Sequence, residues 1–130
     1  MKKVLLSFAL VGTLLGTGLF NGPSAFAAAD SSPKGVSLGA SETTATSSRI
    51  KLSSGQKLNI FVTNYWYSDY KIQYSIFKDG SEFVTNFAGI NEIVNTSHSW
   101  APGEYSIRFY CDTQAKPRTG CQAGGQLSVK

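Results

Sequence analysis

The sequence predicts an all-β protein: an antiparallel β-sandwich of six to seven strands, with one disulfide closing the last hairpin. Three observations predict it. Apolar residues recur with a period of two in most segments beyond Arg49, which marks half-buried strands. An Asp79-Gly80 pair stands between two such segments, where both central residues of a two-residue hairpin turn need positive φ. No segment beyond residue 27 repeats its apolar residues near every 3.6 positions, and Gly, Ser, Thr and Asn are frequent.

The elements follow in order. Residues 28–48 read as a flexible lead: positions 30–48 hold nine Ser or Thr among nineteen residues, and only Val36 and Leu38 are large and apolar, a composition that buries little. One short strand near Val36–Leu38 is the most it offers. The domain proper is expected over 49–130. Ile50 and Leu52 alternate with Arg49, Lys51 and Ser53, and Ser54-Gly55 marks a turn. Leu58, Ile60 and Val62 form the next apolar phase, and Ile72, Tyr74 and Ile76 the one after. Pairing Lys78 with Ser81 across Asp79-Gly80 would set Ile76 opposite Phe83, Tyr74 opposite Thr85 and Ile72 opposite Phe87. A weaker strand is expected over 90–96 and a turn at Ala101-Pro102-Gly103. Tyr105, Ile107, Phe109 and Cys111 are then in phase, and Leu127 and Val129 close the pattern.

The start of the chain is of a different kind. Met1-Lys2-Lys3 is positive, Val4–Leu15 is apolar and uncharged, and Ala25-Phe26-Ala27 supplies the small–x–small pattern of a cleavage site. Residues 1–27 are therefore expected to be a secretory signal peptide of bacterial style, cut after about Ala27, with the remainder secreted and extracellular. The apolar run is diluted by glycines, Asn21 and Pro23 beyond Leu15, and so matches a membrane-spanning helix of ~20 residues poorly. Cys111 and Cys121 are the only cysteines, and an even count in a secreted chain reads as a disulfide.

Charge excludes little but is informative. The chain carries 12 Lys or Arg and 8 Asp or Glu, a net charge of +4. Losing Lys2 and Lys3 with the leader leaves +2, too little for a nucleic-acid-binding surface.

Two turn-and-strand segments, Leu52–Leu58 and Pro102–Arg108, resemble the immunoglobulin-like and pre-peptidase-like β-sandwich modules of bacterial secreted proteins. The resemblance covers residues 49–130 at most and implies the sandwich alone, with no functional residue.

Three places offer a binding surface. Tyr65-Trp66-Tyr67-Ser68-Asp69-Tyr70 sets four aromatics within six positions at a strand connection. Consecutive rings point to both faces of a strand, so one core cannot bury them all. With Trp100 they make a candidate ligand-binding set, since aromatic faces stack on sugar rings and Tyr hydroxyls bond sugar hydroxyls. The competing reading is that Trp66 or Trp100 plugs the end of the sandwich. The loop Asp112–Gly120 presents Lys116, Pro117 and Arg118, a pre-organised protein-binding element or an ordinary polar loop. Phe61, Phe77 and Tyr110 fall on outer faces and offer a self-association patch.

Catalysis and metal binding find no pattern. His98 is the only histidine and no nucleophile elbow is present. Nothing in the spacing of Glu42, Asp69, Glu82, Glu92, Glu104 and Asp112 selects a carboxylate pair. Asn95-Thr96-Ser97 matches the N-glycosylation pattern. The expectation is a secreted, non-catalytic binding protein without cofactor or metal, with polysaccharide or cell wall as partner through the aromatic loop. Two alternatives stand beside it. One is a protein-binding factor of inhibitor or toxin type acting through the disulfide loop, and the other is an extracellular matrix or surface structural protein.

Overall fold

Each apolar phase points into a gap between two sheets. The computed structural model describes residues 29–130, and the leader expected over 1–27 lies outside them. Nine strands occur among the described residues, without a helix: β1 Lys34–Leu38, β2 Thr44–Thr46, β3 Ile50–Leu52, β4 Leu58–Asn64, β5 Ile72–Lys78, β6 Ser81–Ala88, β7 Ile93–His98, β8 Gly103–Cys111 and β9 Ala123–Val129. The first sheet runs β1-β9-β4-β7; the second runs β2-β8-β5-β6, with β3 following β2 along β8. All pairings are antiparallel. The protein is thus an all-β sandwich, and Leu58, Ile60, Val62, Ile72, Ile76 and Phe109 lie buried between the sheets.

The Asp-Gly turn forms as its chemistry requires: Asp79 has φ 52° and Gly80 has φ 89°, and Lys78 pairs with Ser81. The register then departs from expectation. A bulge at Ile76/Phe77 sets Ile76 opposite Val84, Tyr74 opposite Asn86 and Ile72 opposite Ala88. Phe83 drops out of the ladder as the extra residue and packs edge-on to Trp100, with ring centroids 5.0 Å apart. The inward residues of β6 are therefore Val84, Asn86 and Ala88, not Phe83, Thr85 and Phe87.

Three further expectations change. The lead over 28–48 is not a loose tail: β1 and β2 lie within it, and Leu38 is fully buried. Strand count rises from six or seven to nine for that reason. β8 and β9 belong to different sheets, so they do not form a hairpin. The Cys111–Cys121 bridge is present, and it closes the crossover from the second sheet to the first. Finally, the outer-face patch does not exist as expected. Tyr110 is buried, Phe77 lies under the Arg108 guanidinium at 4.8 Å, and Phe61 alone is exposed, on the opposite sheet.

Candidate functional site

β4 ends at Asn64, and the chain must turn back to enter β5 in the other sheet. It does so through a tight turn in which the Ser68 amide donates to the Tyr65 carbonyl at 3.0 Å. A turn closed in this way sets its two central residues at the apex; here they are Trp66 and Tyr67. Trp66 is 73% exposed, the most exposed large apolar residue described, and Tyr67 is 45% exposed. Tyr65 and Tyr67 stack nearly parallel at 5.5 Å, and Trp66 stands edge-on to Tyr67 at 5.3 Å. Three consecutive aromatics thus form one ridge.

The ridge rests on a rigid base. The Tyr65 amide donates to the Gln122 carbonyl, the Asp69 amide to the Gly120 carbonyl, and the Gln122 amide to Ser68 Oγ. The aromatic loop is therefore lashed to the end of the disulfide loop and to the residue after Cys121. Two glycines make the approach possible. At Gly120, φ is +102° and a Cβ would collide with the Asp69 carboxylate. At Gly124, a Cβ would stand 2.8 Å from the Tyr65 hydroxyl, so the tip of Tyr65 occupies the space a side chain would need there. Below the turn, the fully buried Asn64 donates through Nδ2 to the carbonyls of Tyr70 (3.0 Å) and Ala88 (3.2 Å). Along β4 the outer face continues from Tyr65 through Thr63 to Phe61, with the exposed Ile93 of β7 opposite Thr63.

The chain matches no known protein family, no curated protein and no solved structure.

Of the residues singled out in the sequence, Tyr65, Trp66 and Tyr67 come together. Tyr70 is adjacent but half-buried, and the Arg118 guanidinium covers its ring at 5.1 Å. Trp100 is elsewhere. Its neighbour His98 pairs with Leu58, at the end of β4 remote from the ridge, so the two sites are separated by a strand of about 20 Å. Gly124, Gln122 and Asn64 escaped the sequence reading. The Gly124-Gly125 pair was the available signal, since glycine within a strand marks a close approach.

The disulfide loop folds back on itself. Asp112 bridges to Pro117, and the Arg118 amide donates to the Cys111 carbonyl. Arg118 Nε donates to Asp112 Oδ2 at 3.0 Å, and Lys71 Nζ to Oδ1 at 3.1 Å. Arg118 is therefore engaged although exposed, and Lys116, also exposed, makes no ion pair among the described residues. Lys71, with Arg118 beside it, holds the Asp112 carboxyl below its ordinary range. Asp79 is lowered likewise by the Glu104 amide and Lys78. A lowered carboxyl contributes stability that is fully present above the ordinary value of about 4 and lost as the pH falls through the native value. Thermal unfolding followed from about pH 7 to pH 2 should show the midpoint falling below about pH 4, and Asp112→Asn should remove part of that slope. Among the described residues, no three His, Cys, Asp or Glu side chains gather as a metal site.

Proposed function

We propose that this is a secreted, non-catalytic binding module that takes polysaccharide, at a cell surface or in its surroundings, on the Tyr65–Trp66–Tyr67 ridge. The observation that carries the reading is an exposed aromatic triplet held on a rigid base. Trp66 has nearly three-quarters of its surface in water while its turn is tied down on both sides. Exposing such a ring in a fixed pose opposes burial, and a large apolar surface left out marks interaction. The ring planes are set before any partner arrives, so little side-chain entropy is lost on stacking. Asp69 and the tyrosine hydroxyls supply polar partners at the rim. The leader-like start and the disulfide support an oxidising, extracellular setting. The alternative through Lys116, Pro117 and Arg118 draws less support, because the Arg118 guanidinium is already occupied by Asp112 and Tyr70.

The test is retention of purified residues 28–130 on peptidoglycan, chitin, cellulose and whole cells, alongside Trp66→Ala. Wild type should be retained on at least one of them. Trp66→Ala should weaken retention by about 30-fold or more, a hot-spot effect of at least ~2 kcal/mol. Its thermal midpoint should hardly move, because an exposed substitution costs within about 0.5 kcal/mol. Failure of the wild type to bind any of the four would sink the proposal.

A further inference from the structure

The sandwich is open along one side. β7 is the outermost strand of the first sheet and β6 of the second, and the chain passes between them through a turn at Gly89–Glu92 without the two strands pairing. Between them lies a cleft of about 310 Å³. Register fixes what faces it. On β7 the inward residues are Val94, Thr96 and His98, opposite Val62, Ile60 and Leu58; on β6 they are Val84 and Asn86, opposite Ile76 and Tyr74. A sandwich closing over its core would place apolar side chains at 86, 96 and 98. Instead Asn86 and Thr96 stay exposed and His98 half-buried, so the cleft has a polar, solvent-open rim above an apolar floor.

Several polar groups in the cleft are unspent. Asn86 Oδ1 accepts from the Phe87 amide, leaving the Asn86 NH₂ without a partner among the described residues. Tyr74 as a residue is 95% buried, while its hydroxyl reaches the open cleft and has no protein partner among the described residues. Glu92 gives one oxygen to the Gly89 amide at 2.7 Å and keeps the other. Burial and the Glu92 charge raise the Tyr74 pKa, so the phenol stays a donor throughout the physiological range. At the far end His98 stacks on Trp100 at 4.3 Å and bonds Thr96. The floor is aliphatic, from Ile60 and Ile76.

We propose that this cleft binds a single neutral sugar ring, free or at the end of a glycan. Its volume is at the small end of ligand sites, which run from roughly 300 Å³ upward, and so suits one ring. Hydroxyls both donate and accept, as the mixed groups of the cleft require. A purely apolar ligand would strand those groups. No Lys or Arg lines the cleft, whereas Glu92 does, which disfavours an anionic ligand. The inference extends the polysaccharide reading to a second place but does not depend on the ridge.

The experiment is an NMR titration of residues 28–130 with the methyl pyranosides of glucose, galactose, mannose and N-acetylglucosamine, and with glucuronate. At least one neutral glycoside should shift the Thr96 and His98 amides and the Trp100 indole, with a dissociation constant on the order of 1 mM. Glucuronate should bind about tenfold more weakly or less. Asn86→Leu, which removes the amide and fills the cleft, should abolish the shifts without lowering the thermal midpoint. Thr96→Val, which keeps the shape, should weaken them. Trp66→Ala should leave them intact. Cleft resonances that no glycoside moves, that glucuronate moves equally, or that still respond in Asn86→Leu would overturn the proposal. Shifts confined to residues 65–67 would overturn it while sparing the ridge.

Discussion

Replacing Asn64 with alanine is expected to destabilise the domain by about 2–3 kcal/mol and to loosen the aromatic ridge without touching it. Asn64 sits at the end of β4, fully buried, and its NH₂ group answers two carbonyls from different places, Tyr70 at the entry to β5 and Ala88 at the end of β6. Alanine takes this donor from both carbonyls, one in a buried bond and one in a part-buried bond, at about 1–3 kcal/mol each. Against this, Asn64 Oδ1 is itself buried without a partner among the described residues, and alanine removes that liability. The balance lowers the thermal midpoint by roughly 10–20 °C for a domain of this size. The distinguishing readout is local. Hydrogen exchange should accelerate at the Ser68 and Asp69 amides more than in β5 or β8, because the loop loses its floor. If the ridge binds polysaccharide, affinity should fall with it. Uniform loss of protection across the sandwich would mean that Asn64 supports the core and not the loop.

Removing the disulfide is expected to cost about as much by a different route. Cys111 and Cys121 are ten positions apart and fully buried. Closing so short a loop restricts the unfolded chain by roughly 2.5–3 kcal/mol, within the ~2–5 kcal/mol lost when small domains lose a native bridge. The Cys111→Ala, Cys121→Ala double variant should melt about 10–20 °C below wild type. Reductant should bring the wild type down to the same midpoint and leave the variant unmoved. The bridge also anchors what the ridge stands on, since Gly120 and Gln122 flank Cys121 and hold Asp69 and Tyr65. The variant should therefore also lose protection at the Tyr65 and Asp69 amides.

What the sequence made legible was local. The phase of β4, β5 and β8 is visible because one face of each is apolar and the alternation is unbroken. The Asp79-Gly80 turn is visible because few residue pairs accept positive φ twice in succession. The bulge after that turn is not, because Phe83 fits an inward position by pattern, and its neighbours Trp100 and Tyr105 are distant in sequence. β1 and β2 are hidden by composition: Ser and Thr dominate the lead, and its two apolar residues count only once β9 supplies a partner strand. The same blindness applies to sites. The cluster at 65–67 is contiguous, so its proximity needs no fold. Whether Trp100 joins it depends on which end of β4 each turn occupies, and no local signal carries that.

The place of β9 has a consequence for how the molecule comes to exist. It lies inside the first sheet, between β1 and β4, although it is the latest of the described strands. During synthesis both neighbours are made long before the strand that joins them, and until then the first sheet is two fragments with bare edges. Ala123 pairs with Leu38 across most of the described chain, a contact of the long-range kind that slows folding to milliseconds or longer. Closure of the first sheet thus waits for residues 123–129. A chain passing amino-end first through any narrow pore arrives open, and shuts only when residues 123–129 come free.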